Sequence, residues 1–245
     1  MNLEGKVIVV IGASSGIGEG ITRAIAEKNP LAIVLAARRE ELLREIASSL
    51  SCETFVQKTN VNDGESVRYL LEQTHKKYQR IDAVVNSAGV MKKGSIEDMS
   101  VEDIDLVLNT NLRQAIIVGK YIAPIFKQQG NGIYLVISSQ AGKIAFAGET
   151  AYCASKGGVD HFMRSLSEEW SPQKDEERKL YAFAIGPGFI NTAEVKEQYP
   201  NFAAKIEARA PKPIEFGRIV IEYLASPNLK YSEDGAVHYI DTLRI

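Results

Sequence analysis

The sequence has few cysteines and no long hydrophobic run. Its two cysteines, Cys52 and Cys153, stand far apart without CxxC or Cys/His spacing, which argues against a zinc site and against a disulfide scaffold. We therefore expect reduced thiols and no bound metal. The apolar run at residues 7–11 is too short to span a bilayer, and no basic stretch precedes a signal-like segment. These absences predict a soluble cytoplasmic protein with no membrane partner.

The sequence also lacks a strong charge of either sign. Its 29 Lys and Arg residues and 31 Asp and Glu residues leave a net charge of −2, without the basic surplus that marks nucleic-acid-binding proteins. Among its 245 residues, 45% are hydrophobic and only 8 are prolines, which excludes disorder and a collagen-like chain. The length is sufficient to bury a substantial core.

Short runs rich in Val and Ile alternate along the chain with longer segments of helical spacing. The predicted strands cover residues 6–11, 31–36, 54–57, 83–85, 132–138, 181–185 and 236–240. The predicted helices cover residues 17–28, 40–50, 65–78, 101–129, 151–170 and 214–225. This alternation is typical of βαβ units, and nearly continuous apolar strands indicate a sheet covered on both faces. We predict an α/β fold with a doubly wound seven-stranded parallel sheet.

No linker, repeat or low-complexity tract divides the chain, so we predict one domain over residues 1–245. Two segments break the regular alternation. Residues 172–179 are strongly charged and are predicted to form a solvated surface loop. Residues 188–213 carry short helical patterns between the sixth strand and the last helix. Because long insertions in compact domains tend to be binding loops, we expect 188–213 to be a lid over the substrate.

A glycine-rich turn follows the first strand directly and leads into a helix. Gly12 permits the sharp turn, Gly16 lets backbone N–H groups approach a diphosphate, and Gly18 allows close packing of the helix. The positive end of the helix also favours phosphate. Three glycines can equally mark a tight turn of a fold that binds nothing. Their place at the start of an alternating α/β chain favours a dinucleotide site.

The end of the second strand indicates which dinucleotide is bound. An acidic residue there would favour NAD, but the chain has Arg38 and Arg39. A guanidinium can hold a 2′-phosphate in a charge-assisted fork, so we predict NADP (NADPH), with NAD disfavoured. The alternative is that both arginines merely begin an exposed helix, beside Glu40 and Glu41.

Two side chains later in the sequence are spaced for acid–base chemistry. Tyr152 and Lys156 are four residues apart on a predicted helix and share a face. A neighbouring ammonium stabilises a phenolate, so we expect Lys156 to lower the pKa of Tyr152 from its ordinary value of about 10. Ser139 follows a strand end, where its hydroxyl could hold a substrate oxygen against Tyr152. Taken singly, these are an ordinary helical pair and a turn residue, and Cys153 is expected to be a packing residue.

Six motifs occur in the order of one known family. They are Gly12 to Gly18, Asn86-Ser87-Ala88-Gly89, Asn111, Ser138-Ser139, Tyr152-Cys153-Ala154-Ser155-Lys156, and Pro187-Gly188 followed by Thr192. With them the chain resembles the short-chain dehydrogenase/reductase family, in its compact single-domain branch, over essentially its whole length. The resemblance implies a Rossmann-type fold.

The resemblance also implies the roles of individual residues. The catalytic set is Ser139, Tyr152, Lys156 and Asn111, where Lys156 also binds the nicotinamide ribose and Asn111 holds a water that links Lys156 to solvent. The cofactor-binding set comprises Gly12, Ser14, Ser15, Gly16, Ile17, Gly18, Arg38, Arg39, Asn60, Val61, Asn86, Ala88, Gly89, Tyr152, Lys156, Pro187, Gly188, Ile190 and Thr192. Family members often pair through the long helices, here 101–129 and 151–170, which implies a homodimer or homotetramer.

A few positions depart from the family pattern. Asn60 stands where an aspartate near the adenine is usual, and Ser87 replaces the second asparagine of its motif. The last strand ends at Thr242 and its neighbours without the usual glycine pair, and the dipeptide at 182–183 lacks the asparagine often found there. These changes concern the adenine site, the pocket floor and the assembly; they leave the catalytic set intact.

We therefore predict an NADP-dependent oxidoreductase that interconverts carbonyl and alcohol groups reversibly by hydride transfer on a ketone or aldehyde. A non-catalytic NADP-binding sensor or scaffold would share the fold and the glycine turn. A sugar-nucleotide epimerase also uses a Tyr/Lys pair, but such enzymes resemble longer chains with a different glycine spacing. The substrate pocket is expected to be lined by residues 90–94, 140–149 and 189–200. This mixed lining leaves 3-oxoacyl thioesters, sugars, steroids and quinones open.

Overall fold

The computed structural model describes residues 3–170, 179–226 and 236–242. Its strands form one parallel sheet in the order β3-β2-β1-β4-β5-β6-β7. The strands are β1 Val7–Ile11, β2 Ala32–Ala37, β3 Thr54–Lys58, β4 Ala83–Asn86, β5 Asn131–Ile137, β6 Lys179–Pro187 and β7 Val237–Ile240. The predicted seven-stranded parallel sheet is confirmed, with each strand boundary within two residues of its expected place.

Helices cover both faces of the sheet, as predicted. They are α1 Gly16–Ala26, α2 Glu40–Ser48, α3 Gly64–Tyr78, α4 Val101–Leu108, α5 Gln114–Gln129, α6 Thr150–Trp170, α7 Ala193–Gln198, α8 Ala203–Arg209 and α9 Pro213–Ala225. Successive side chains of β1 point to opposite faces, so Ile8 and Val10 pack in one core cluster while Val7 and Val9 pack in the other. This is why the strands read as continuous apolar runs.

The predicted helix at 101–129 is interrupted, which corrects the sequence-based boundary. Between α4 and α5 the chain forms a π-helical turn at Asn109–Arg113, where the N–H of Gln114 donates to the carbonyl oxygen of Asn109. Such turns insert one extra residue into a helix and are frequent at functional sites. Two hydrogen bonds between the Asn111 side chain and the backbone of Val90, in the loop after β4, hold this turn in place.

Two other segments bear on the sequence predictions. Lys179 begins β6 instead of belonging to the predicted charged loop, and the rest of that loop, 172–178, lies outside the described residues. Segment 188–213 folds into α7, a short 3₁₀ turn at Pro200–Phe202 and α8, in agreement with its short helical patterns. Within the described ranges, no helix combines the length and apolar character needed to cross a membrane.

Candidate active site

A cleft runs along the carboxyl edge of the sheet, where the strand order reverses between β1 and β4. Parallel α/β sheets bind ligands at such switch points. Loops after several strands contribute to its wall. The residues of the predicted site that line it are Gly12, Ser14, Ser15, Gly16, Ile17, Arg38, Arg39, Asn60, Val61, Ala88, Gly89, Tyr152, Lys156 and Thr192.

Other residues of the predicted set lie behind or beside the cleft wall; they are Gly18, Asn86, Asn111, Ser139, Pro187, Gly188 and Ile190. The Asn86 side chain is fully buried, and its amide nitrogen donates to Gln114 Oε1 at 2.9 Å and to the Tyr134 hydroxyl at 3.1 Å. Ile190 is 1% exposed and belongs to a core cluster. Both side chains thus point into the protein interior, and the cofactor-binding role of these two residues remains a prediction.

The glycine turn is shaped by close approaches of the backbone. Gly12 has φ +83°, and a Cβ there would lie 2.8 Å from the backbone nitrogen of Ala88. A Cβ at Gly18 would lie 2.1 Å from the carbonyl oxygen of Gly12. Larger residues at these two positions would push the turn away from the sheet. The turn therefore lies tight against the loop after β4.

The N-terminus of α1 opens into the cleft beside this turn. Ser15 precedes the helix, yet its side chain makes no hydrogen bond to the backbone N–H groups of the first turn. Ser15, Gly16 and Ile17 all line the cleft. Uncapped N–H groups at the positive end of a helix fit the phosphates of a dinucleotide.

Arg39 lies against the glycine turn. Its Nη2 atom donates to Ser14 Oγ at 3.0 Å and to Ser15 Oγ at 2.6 Å. Neighbouring Glu40 is paired with Arg44 at 2.5 Å. Arg39 does precede α2, as the alternative interpretation expects, but its guanidinium contacts hydroxyl groups at the cleft.

At this end of the cleft, the described residues of the lining include no acidic side chain. Among the described residues that line the cleft, the acidic one is Glu194, which interacts electrostatically with Tyr152 and Lys156. Beyond β2 the lining is formed by Arg38, Arg39 and uncharged residues. An additional phosphate would therefore meet positive charge and hydroxyl donors there.

Tyr152, Lys156 and Ser139 come together at the opposite end of the cleft. The ammonium nitrogen of Lys156 lies 5.7 Å from the centre of the Tyr152 ring, so the two residues share a face of α6 as predicted. The side chain of Ser139 lies near enough to the Tyr152 phenol to lower its pKa. The 3₁₀ turn at Gln140–Gly142 fixes Ser139, whose Oγ accepts the N–H of Ala141 at 3.1 Å.

The expected lowering of the Tyr152 pKa is not found. Burial of the phenol raises its pKa above the ordinary value of 10, and only the nearby Ser139 side chain opposes that effect. Lys156 does not offset it: burial lowers the pKa of Lys156 to about 8, so the lysine has already lost its charge at the pH where the phenol would ionise. Tyr152 is therefore protonated at neutral pH and ready to donate a proton.

Asn111 connects the π-helical turn to the loop after β4. Its Oδ1 accepts the N–H of Val90 at 2.8 Å, and its Nδ2 donates to the Val90 carbonyl and to Ser155 Oγ, each at 2.9 Å. A methyl group at Gly89 would lie 3.3 Å from Asn111 Oδ1 and 3.7 Å from Lys156 Nζ. The two side chains thus border the same small space. The water that the resemblance places here remains a prediction.

Sequence reasoning missed Asp160. This carboxylate is 1% exposed and accepts hydrogen bonds from the hydroxyls of Ser138 and Tyr239. Burial raises the pKa of Asp160, and its negative charge in turn raises the pKa of Lys156. The signal was present, since Asp160 follows Lys156 by four residues and shares its helix face.

Glu194 was also missed as an individual residue, although segment 188–213 was expected to line the site. It lies in α7, and its carboxylate accepts a hydrogen bond from the backbone of Met91 in the loop after β4. Desolvation raises its pKa, while the positive charge of Lys156 lowers it. Glu194 therefore connects segment 188–213 to the opposite wall of the cleft.

Comparisons with known proteins agree with this geometry. The model of the family described as short chain dehydrogenase matches residues 6–202. The chain is 32% identical to the 3-oxoacyl-(acyl-carrier-protein) reductase FabG of Thermotoga maritima, over 94% of each chain. It is 28% identical to the NADP-dependent 3-hydroxy acid dehydrogenase of Schizosaccharomyces pombe, over 78% of this chain and 73% of the relative. The crystal structure of the NADPH-dependent 3-quinuclidinone reductase from Rhodotorula rubra superposes with a TM-score of 0.81 at 28% identity, covering 98% of this chain and 91% of that one.

Proposed function

This chain belongs to the short chain dehydrogenase family and is an NAD(P)-dependent oxidoreductase, and we propose that it uses NADP to interconvert a ketone or aldehyde with the corresponding alcohol. One observation carries the proposal: Ser139, Tyr152 and Lys156 meet at the end of a cleft whose other end holds an uncapped helix N-terminus. A binding protein without catalysis would need the helix terminus but not the three polar side chains.

The preference for NADP over NAD rests on the arginine end of the cleft. Arg39 already contacts two hydroxyls there, and the described lining residues near it include no carboxylate that would repel a 2′-phosphate. Arg38 is exposed beside it and supplies a second positive charge. Two of the relatives reported above carry NADP or NADPH in their names, which supports the same assignment.

The roles of the side chains follow from their protonation states. When bound, the reduced nicotinamide supplies a hydride for the carbonyl carbon. Tyr152 Oη, protonated because it is buried, donates its proton to the carbonyl oxygen. Ser139 Oγ donates a hydrogen bond to the same oxygen and stabilises the developing negative charge. Lys156 holds a positive charge near the phenol below a pH of about 8.

The predicted lid and assembly belong to this proposal. Segment 188–213 covers one side of the site, because Thr192, Glu194 and Gln198 line the cleft from it. Pairing of two copies through the long helices is supported by Val101 and Ile116, which are 67% and 44% exposed on α4 and α5. The homodimer or homotetramer and the cytoplasmic location both remain predictions.

The experiment is a measurement of NADPH oxidation with a panel of ketones and aldehydes, run with the wild type and with Tyr152→Phe. We expect turnover by the wild type and a loss of about 10²- to 10⁴-fold in Tyr152→Phe, because the acid is removed. Cofactor binding, followed by NADPH fluorescence, should persist in the variant. Tyr69→Phe, on the exposed face of α3, is the matched control.

Each other outcome points to a different class of protein. NADPH binding without turnover on any carbonyl compound would favour a sensor or scaffold. Isomerisation of a product without net NADPH oxidation would favour an epimerase. Turnover of Tyr152→Phe at the wild-type rate would refute the role of the phenol.

A further inference from the structure

Three charged or polar side chains come together beside Tyr152, one from each segment expected to line the substrate pocket. Lys93 lies in the loop after β4, Glu149 directly precedes α6, and Tyr199 follows α7. We call these three residues the Glu149 cluster. The Tyr199 hydroxyl donates to Glu149 Oε1, Lys93 Nζ lies 3.5 Å from the same oxygen, and Lys93 Nζ lies 3.6 Å from the centre of the Tyr199 ring.

The cluster is close to the reacting group. Glu149 precedes Tyr152 by three residues, and its carbonyl oxygen accepts the N–H of Cys153 at 2.8 Å in the first turn of α6. The negative charge of Glu149 raises the pKa of Tyr152. The ring of Phe189 packs edge-on against Tyr199 at 4.8 Å between centres. The cluster therefore lies beside Tyr152 and Phe189, next to cleft-lining residues such as Gln198.

A glutamate is an unusual residue for this buried position. Glu149 is 3% exposed, and burying a carboxylate is costly unless it is paired and hydrogen-bonded. Lys93 balances its charge and Tyr199 supplies an O–H donor. Because Glu149 and Lys93 compensate each other, the pair carries no net charge that would favour an anionic or a cationic substrate group. A neutral hydroxyl can donate to Glu149 as the Tyr199 hydroxyl now does.

From this we propose that the Glu149 cluster binds a hydroxyl group of the substrate, so the substrate class is a ketone or aldehyde with a neutral hydroxyl near its carbonyl. The inference rests on the proposed carbonyl reduction and adds a specificity-determining residue to it. In the complex, Glu149 Oε1 accepts a hydrogen bond from the substrate hydroxyl. This bond replaces the one that the Tyr199 hydroxyl donates in the free protein. Lys93 balances the charge of Glu149, so the cluster has no net negative charge that would attract an amine.

The experiment compares pairs of small substrates that differ in one hydroxyl. The pairs are hydroxyacetone with acetone and 1-hydroxy-2-butanone with 2-butanone, with acetoacetate as the anionic probe and dimethylaminoacetone as the cationic probe. The readout is the ratio of kcat/KM for each hydroxyketone to that of its partner. A hydrogen bond to a charged acceptor predicts a ratio of about ten or more in the wild type.

Two variants distinguish recognition from a purely structural contact. Tyr199→Phe removes the Tyr199–Glu149 hydrogen bond, and Glu149→Gln weakens it by taking the charge off the acceptor, so a structural role predicts that they change the ratio alike. Hydroxyl recognition predicts opposite effects. Glu149→Gln lowers the ratio about tenfold because the charged acceptor is gone, whereas Tyr199→Phe maintains or raises it because the competing hydroxyl is gone. Lys77→Met is the matched control, because Lys77 pairs with Glu53 at 3.1 Å and lies 4.8 Å from the centre of the Tyr78 ring, outside the segments expected to line the pocket.

A third variant tests the charge balance. Lys93→Met leaves the carboxylate of Glu149 without its cation, so the relative kcat/KM for dimethylaminoacetone should rise. Equal kcat/KM within each wild-type pair, or a preference for acetoacetate, would overturn the inference while the proposed carbonyl reduction stands. Absence of turnover on every carbonyl compound would remove the proposed function and this inference with it. If Glu149→Gln does not fold, a fall of the ratio in Tyr199→Phe alone contradicts recognition by Glu149.

Discussion

The ammonium nitrogen of Lys156 lies 3.0 Å from the carbonyl oxygen of Ile137, the last residue of β5. Lys156 is 5% exposed, and burial lowers its pKa to about 8. The fold therefore holds a cation at a place where the charged form is disfavoured. A group kept under such conditions costs stability, and this cost can be measured.

Lys156→Met is expected to stabilise the protein at pH 7. The pKa of Lys156 is about 8 when folded and 10.5 when unfolded, so below pH 8 the lysine is charged in both states and the folded state is penalised by about 3 kcal/mol. Loss of the hydrogen bond to Ile137 offsets about 1–2 kcal/mol. We expect a net gain of about 1–2 kcal/mol in the free energy of unfolding, measured in urea.

The pH dependence of that gain is the critical control. As pH rises from about 8 to 10.5, the folded protein releases the proton of Lys156 before the unfolded chain does, so the wild type gains stability relative to Lys156→Met. The advantage of the variant should disappear near pH 10. A variant that is less stable than the wild type at pH 7, with a difference independent of pH, would contradict the burial argument.

Arg39→Ala should weaken NADPH binding much more than NADH binding. Removing a charged donor to the 2′-phosphate predicts a loss of about 10- to 100-fold in NADPH affinity, with NADH affinity changed less than about threefold. Fluorescence titration of both cofactors measures this. Arg44→Ala is the control, since Arg44 lies on α2, the helix that Arg39 precedes, and pairs with Glu40. Equal losses for the two cofactors would show that Arg39 supports the glycine turn without selecting a phosphate.

Glu194→Gln should shift the alkaline limb of the pH profile. The negative charge of Glu194 favours the protonated forms of Tyr152 and Lys156, and it raises the pKa of both groups. Its removal lowers both pKa values, so kcat/KM for carbonyl reduction should begin to fall at lower pH than in the wild type. Glu197→Gln, on the same short helix, is the comparison. A shift to higher pH would reverse the assigned sign.

Asn86→Ala should destabilise the protein without a matching loss of cofactor affinity. The variant leaves buried Gln114 without its amide donor and the Tyr134 hydroxyl with one bond fewer, which predicts a loss of about 1–3 kcal/mol. NADPH affinity, measured well below the melting temperature, should stay within about threefold of the wild type. A large loss of NADPH affinity in a variant of normal stability would support the cofactor-binding role of Asn86 that the sequence motif implied.

The strands were predictable because they are buried on both faces. An apolar run such as 7–11 must lie inside, whichever way its side chains point. The boundary of β6 shows the limit of this signal. Its first residue, Lys179, is exposed and pairs with Asn131 at the end of the sheet, so hydrogen bonding extends the strand where hydropathy does not.

The proximity of Tyr152 and Lys156 was predictable because helical spacing places them on one face. Their pKa values were not, because desolvation depends on everything packed around them. The contacts of Glu149 with Lys93 and Tyr199 were equally hidden, since they join segments about 50 residues apart in sequence. Sequence spacing indicates which residues are neighbours along one helix, whereas pKa values and ion pairs depend on residues that are distant in sequence and close in space.

Because of the π-helical turn at Asn109–Arg113, the position of Asn111 depends on the number of residues in this stretch of the chain. One residue more or fewer in a helix rotates everything beyond it by about 100°. A deletion anywhere in this turn would withdraw Asn111 from Val90 or swing the apolar side of α5 out of the core, and no single side-chain replacement could repair either fault. Point substitutions should therefore be tolerated in this stretch far more readily than changes in residue count.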